Sequence, residues 1–209
     1  MIDWPAHRSY LASLPFPKRV NVIKMIHNWQ FTKSHIMLFQ ESDSFVCPMG
    51  CGMEETALHH LACPNIPGSD LRSINIRMSH NNTAPLIQLA IISSLKAWIT
   101  AEPIPNFFGN HLDTLECLLT SLAHSEQSIL GWTQAFKGRL SKKWTAAQGL
   151  WYDHMQDNHP SPKKFPKTYT GPISMKELVA QLIYYNCNRW QIRWRIHNEA
   201  ALTSDSAEE

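Results

Sequence analysis

Three of the five cysteines, Cys47, Cys51 and Cys63, lie close together, and His59 and His60 fall between the last two. With His59 as the fourth member the spacing reads C-x3-C-x7-H-x3-C. Thiolate and imidazole are the donors Zn²⁺ prefers, and short spacers let two ligands come from a turn and two from a helix. Gly50 and Gly52 flank Cys51 and supply the backbone freedom such a turn needs. His59 and Cys63, four apart, share one side of a helix, and His60, three from Cys63, reaches that side nearly as well. A disulfide fits poorly, because the cysteine total is odd and the N-terminus has no secretory-leader pattern. Four donors in one segment leave no coordination position open for water, so the expectation is a single structural Zn²⁺. The deaminase pairing of H-x-E with P-C-x-x-C does not occur. Cys117 and Cys187 have apolar neighbours and read as buried packing residues.

A second chemistry comes from the distribution of charge. The chain of 209 residues has 19 Lys+Arg against 17 Asp+Glu, a net of +2, which excludes a uniformly basic surface. Between Lys137 and Arg195, however, 11 cations face only Asp153, Asp157 and Glu177, a net of +8. Tryptophans and tyrosines interleave with them, as phosphate neutralisation and base stacking require. The candidate nucleic-acid contacts are Lys137, Arg139, Lys142, Lys143, Lys163, Lys164, Lys167, Arg189 and Arg193. The bland alternative is a solvated helix face whose aromatics point inward. Trp144 and Trp151, seven apart, and Trp190 and Trp194, four apart, read as core pairs, with Arg189 and Arg193 on the adjacent face open to phosphate. No G-x-x-x-x-G-K-[ST] or G-x-G-x-x-G cradle is present, and the scattered His-Asn dipeptides are too common in a chain with 11 histidines to mark a nuclease.

The elements that must position these groups are helical. Apolar spacing and cap residues predict helices over 18–40, 54–61, 69–78, 83–100, 112–123, 125–138, 142–157 and 174–199. The last opens on Ser174 and Glu177, a capping-box pattern. No run alternates polar and apolar residues for long, so strands are not expected. The fold class is mainly α, a helical domain with a small zinc-stapled turn and helix. The expected segments are 1–66, an N-terminal helix with the zinc-binding turn, and 67–157, a helical domain. A Pro/Lys-rich connector over 158–172, a C-terminal helix over 173–199 that packs on the helical domain, and a disordered tail over 200–209 follow. The longest apolar stretch, 86–98, is interrupted by polar residues, so no membrane span is expected. An intracellular location, nuclear or cytoplasmic, follows from the absent leader.

The run Cys47-Pro48-Met49-Gly50-Cys51, then Glu54-Glu55-Thr56-Ala57-Leu58-His59, then Cys63-Pro64 resembles a known family. It is similar to the zinc-binding segment that follows the polymerase region in non-LTR retrotransposon reverse transcriptases. That family's pattern implies His59 as the ligand. Ile26-His27-Asn28-Trp29 with Thr32-Lys33 looks like the family's preceding helix, which ends in a tryptophan and a polar turn. Gly131-Trp132, Lys137 to Ser141, Trp144 and Gln148, and the closing Trp190, Arg193-Trp194 and His197-Asn198-Glu199, resemble a downstream helical block. The chain has no aromatic-x-Asp-Asp tetrapeptide and no Asp-Asp pair, so two-metal nucleotidyl transfer is not expected. The resemblance implies a non-catalytic, RNA- or DNA-binding module derived from such a polyprotein, whose remaining parts are possible partners. The competing expectation is a structural or protein-interaction helical module with a structural zinc.

Overall fold

A computed structural model describes residues 1–29, 32, 46–67, 70–107, 114–158 and 170–205, with the backbone alone for 200–205. Among these residues all regular structure is helical: α1 (Trp4–Ser13), α2 (Phe16–Ile26), α3 (His59–Ala62), α4 (Arg72–His80), α5 (Pro85–Ile99), α6 (Leu115–Leu130), α7 (Trp132–Ala135), α8 (Lys142–Asp157) and α9 (Gly171–Asp205). The mainly α fold is therefore as expected. The chain forms two compact units: Met1–Pro15 with Leu71–Ile183, and Phe16–Asp70 with Tyr184–Glu209. These do not follow the expected segments, since α1 joins the larger unit and α9 contributes to both.

In the larger unit, side-chain caps fix where helices begin. The Asp3 carboxylate accepts from the Ala6 N–H, Thr114 Oγ1 from the Cys117 N–H and Ser141 Oγ from the Lys143 N–H, each at 3.1 Å. These bonds satisfy backbone donors that have no partner within the helix. Asp3 followed by Pro5 at the first helical turn starts α1, a helix absent from the expected set, which begins at residue 18. The core is built from Ile87, Ile91 and Leu95 of α5, with Phe136, Leu140, Trp144, Met175 and Leu182, all essentially without solvent exposure. Two buried amides serve the turns around it. Gln148 accepts from the Ala84 N–H at 3.0 Å and donates to the Asn82 carbonyl at 3.2 Å, and Gln127 accepts from the Ser141 N–H at 2.8 Å. Trp144 is a core residue, as its spacing suggests.

Several boundaries differ from the expectation. The helices expected over 112–123 and 125–138 are one helix, α6, that ends where Gly131 turns to φ 91° and α7 begins. Ala123 and Gln127 continue one buried face through Ser125, so Ser125 caps nothing. The final helix begins at Gly171, three residues before Ser174, whose buried hydroxyl has no hydrogen-bond partner among the described residues. It continues to Asp205, into the segment expected to be disordered. The helix expected over 54–61 is only the four-residue α3, because Glu54 pairs with Val46 instead. The expected connector lies mostly outside the described residues.

The smaller unit brings together α2, the segment 46–67 and the second half of α9. Helix α2 closes in a double hydrogen bond around Asn28, which adopts φ 59°. The Trp29 N–H donates to the Lys24 carbonyl at 2.8 Å and the Asn28 N–H to the Met25 carbonyl at 3.0 Å. This Schellman arrangement tolerates Asn in the left-handed conformation and sets Trp29 just past the helix end.

Candidate metal centre

The metal segment begins as a tight knuckle. Val46 pairs antiparallel with Glu54, the Cys47 N–H donates to the Met53 carbonyl at 2.8 Å, and the Gly50 N–H donates to the Cys47 carbonyl at 3.0 Å. The reversal needs φ of +70° at Gly50 and +76° at Gly52, a region open to glycine and strained for other residues. The first two cysteines are thereby folded toward each other. Helix α3 delivers the other pair, with the Cys63 N–H donating to the His59 carbonyl at 2.8 Å and holding both residues on one side.

The outcome is a cluster in which Cys47, Cys51, His59 and Cys63 place one donor atom each within 4.8 Å of all the others. Cys47 Sγ lies 3.8 Å from Cys63 Sγ, and Cys51 Sγ lies 3.2 Å from His59 Nε2. This group could hold one metal ion. Cys47 and Cys63 are buried and pack with Ile66, against which Met49, Cys51 and Ile192 close the cluster. Burial pushes the Cys47 thiol up to about 12 and raises Cys63, while burial also lowers His59.

His60 has a different part. Its Nε2 lies 2.7 Å from Asn186 Oδ1, and the ring meets Trp190 edge-on at 5.4 Å. Burial drives it down to about 4, with Arg189, Arg193 and His59 adding repulsion against the charged form. Of the two histidines, His59 joins the donor cluster and His60 links the knuckle to α9.

The comparison of this chain with family models, curated proteins and solved structures finds no match.

The candidate nucleic-acid residues divide sharply. Arg189, expected to reach phosphate, has no solvent exposure. Its Nε donates to the His60 carbonyl at 3.2 Å, Nη1 to the Ile66 and Pro67 carbonyls at 2.7 Å each, and Nη2 to the Cys63 carbonyl at 3.2 Å. Arg193 is 3% exposed and is forked onto Glu55, with Nε 2.7 Å from Oε1 and Nη2 on the same oxygen. The assignment of these two arginines to phosphate is therefore corrected: their donors are spent on the metal loop and a buried carboxylate. Lys137 is also buried, and burial, then Arg139, lowers its affinity for a proton. Arg139 is half-buried and donates to Gln134 Oε1 at 3.0 Å. Lys142 is exposed and Lys143 partly so, whereas Lys163, Lys164 and Lys167 lie outside the described residues.

The expected core pair Trp190 and Trp194 is reversed as well. Trp194 is 46% exposed, and both rings line an open cleft. Sequence spacing placed 189 with 193 and 190 with 194 correctly, yet the pair turned inward is the charged one. The missed signal is the set of loop carbonyls, which demands donors that only the folded knuckle reveals. Cys117 and Cys187 are only partly buried, so neither is the enclosed packing residue expected.

Proposed function

We propose that Cys47, Cys51, His59 and Cys63 hold one structural Zn²⁺ and that this chain is a non-catalytic, nucleic-acid-binding module. One observation carries the metal reading: four protein donors converge within 4.8 Å of one another, and the separation of Cys47 and Cys63 suits a tetrahedron. A Zn–S bond of about 2.3 Å puts two thiolates of a tetrahedral site about 3.8 Å apart. Cys47 and Cys63 are 3.8 Å apart. All four positions are filled by side chains, which supports a closed, structural ion over a catalytic one.

Buried charge supports a divalent ion in particular. With a metal bound, three thiolates and Glu55 would carry the negative charge, and Arg189 and Arg193 supply two positive charges beside them. A divalent ion cancels the remainder, which matters because an uncompensated charge away from water is costly. Metal binding would then contribute folding energy to a segment with few apolar residues of its own.

The nucleic-acid half rests on the resemblance to the reverse-transcriptase zinc segment and on the cations still facing solvent. A second reading, a protein-interaction module, is favoured by a stripe of exposed apolar residues on α6, Leu115, Leu118, Leu122 and Ile129.

The test is metal content of the purified chain, together with binding to single-stranded RNA and DNA across a salt series. Cys51→Ser is expected to lose the ion. One zinc per chain with salt-sensitive binding supports both halves of the proposal. Zinc without affinity for either strand at low salt leaves the metal and removes the nucleic acid.

A further inference from the structure

An open cleft of about 450 Å³ lies in the smaller unit between α2 and the second half of α9. Its walls are Trp29, Trp190 and Trp194, with Met25, Lys24 and the amides Asn21 and Gln191. Trp29 is 62% and Trp194 46% exposed, a large aromatic area to leave in water. No carboxylate lines the cleft among the described residues, and Lys24 is an exposed cation at its edge. Lys18, also exposed, stands one turn back on the Asn21 side of α2.

We propose that this tryptophan-lined cleft receives an unpaired base of a single-stranded nucleic acid, with Lys24 against the adjoining phosphate. The proposal rests on the nucleic-acid reading above and assigns it a site. Each feature has a use in such a complex. Indole faces stack on any base, a cation neutralises phosphate, and exposed amides can meet the hydrogen-bonding edge of the base. A quaternary or methylated ammonium, the other common guest of aromatic cages, would face a lysine with no carboxylate to offset it. An apolar peptide would leave Lys24, Asn21 and Gln191 without partners.

The metal centre holds the cleft in shape. Trp190 is met edge-on by His60, the neighbour of ligand His59, and Arg193 Cζ lies 5.0 Å from its ring centre. Trp29 is set by the Schellman turn at Asn28. The Trp190 wall is therefore held before any ligand arrives, and the backbone of Trp29 is set beside it, which lowers the ordering cost of binding.

The experiment uses the full metal-loaded chain and labelled oligo(U) and oligo(dT) of about twelve nucleotides, within the usual footprint of such sites. Binding is followed by anisotropy and by quenching of tryptophan fluorescence at low and moderate salt. Trp29→Ala and Trp194→Ala, both at exposed positions, are expected to bind roughly 10- to 100-fold more weakly while keeping their metal. Lys24→Gln should lower the slope of log affinity against log salt by about 0.7. Comparison of the two oligomers separates RNA from DNA as the source of the base. Oligonucleotide binding that is unchanged in the tryptophan and Lys24 variants overturns this cleft as the site while the nucleic-acid reading stands. Absence of binding to either oligomer overturns both. Binding of an oligoproline or polyglutamate in the cleft, displaced by no oligonucleotide, assigns it to a protein partner and overturns the proposal.

Discussion

Arg189 Nη2 donates to the main-chain carbonyl of Cys63 at 3.2 Å, so the long C-terminal helix grips a residue of the Cys/His cluster by its backbone. The same guanidinium reaches the carbonyls of His60, Ile66 and Pro67. A planar fork with five donors is the side chain suited to several carbonyls at once.

Replacement of Arg189 should therefore be severe. Arg189→Met leaves four carbonyls without these donors, three of them in buried contacts and that of Pro67 partly open to water, and a loss of at least about 3 kcal/mol in folding stability is expected. Arg189→Lys keeps the charge but not the fork and should recover only part of it. Urea unfolding in a zinc buffer measures both. Near-wild-type stability for Arg189→Met would show that water replaces the guanidinium at no cost.

Metal binding should release protons. Burial holds the Cys47 thiol at about 12 and raises Cys63, so both are protonated at neutral pH in the metal-free fold, while His59 is lowered and already neutral. At least two protons per ion are therefore expected near pH 7, one each from Cys47 and Cys63, and affinity should climb as pH rises. Calorimetry in buffers of different ionisation enthalpy counts them. Release of one proton or none would exclude the three-cysteine donor set.

His124 predicts an acid-sensitive component of stability in the larger unit. Burial lowers it from its ordinary value of 6.5, and Ser94 Oγ lies 3.0 Å from its Nε2. The folded state therefore holds the neutral ring, and the unfolded state binds the extra proton first. Its contribution is fully present above pH 6.5 and declines as pH falls below that value toward the lowered folded value. Denaturant melts at pH 7.5 and 5.5 should differ more for the wild type than for His124→Gln. Equal pH dependence in the two would remove His124 as the cause.

Ala101 closes α5 at φ 55°, with the Glu102 N–H donating to the Ala97 carbonyl at 2.8 Å. A left-handed alanine costs about 1–2 kcal/mol, partly offset by the greater chain entropy a glycine would lose on folding. Ala101→Gly should stabilise the chain by roughly 0.5–1 kcal/mol, a gain that a shift in thermal midpoint would report. Destabilisation would mean that the turn around Ala101 is not left-handed in solution.

The convergence of Cys47, Cys51, His59 and Cys63 was legible because their geometry is local. The step of four from His59 to Cys63 puts both on one helix side, and glycines around Cys51 make a knuckle, whatever surrounds them. The start of α5 at Pro85 and the Ser141 cap were legible for the same reason, since a start signal acts within a single turn; Thr83 caps nothing, because Ala84 holds the N-cap position. Which of two candidate histidines enters the donor cluster was decided by the fold. His59 meets Cys51, while His60 is taken by Asn186 and Trp190 from a helix far along the chain.

The same division separates the arginines from the tryptophans of α9. Spacing alone fixed that Arg189 and Arg193 share one side and Trp190 and Trp194 another. It carried no information on which side turns inward, and the usual preference for buried apolar side chains gave the wrong answer. The tertiary structure decided it through the backbone carbonyls of His60, Cys63, Ile66 and Pro67 and the buried carboxylate of Glu55, groups that require donors. Leaving those groups unpaired costs more than leaving two indoles partly in water, so the charged side is enclosed and the aromatic side forms the cleft.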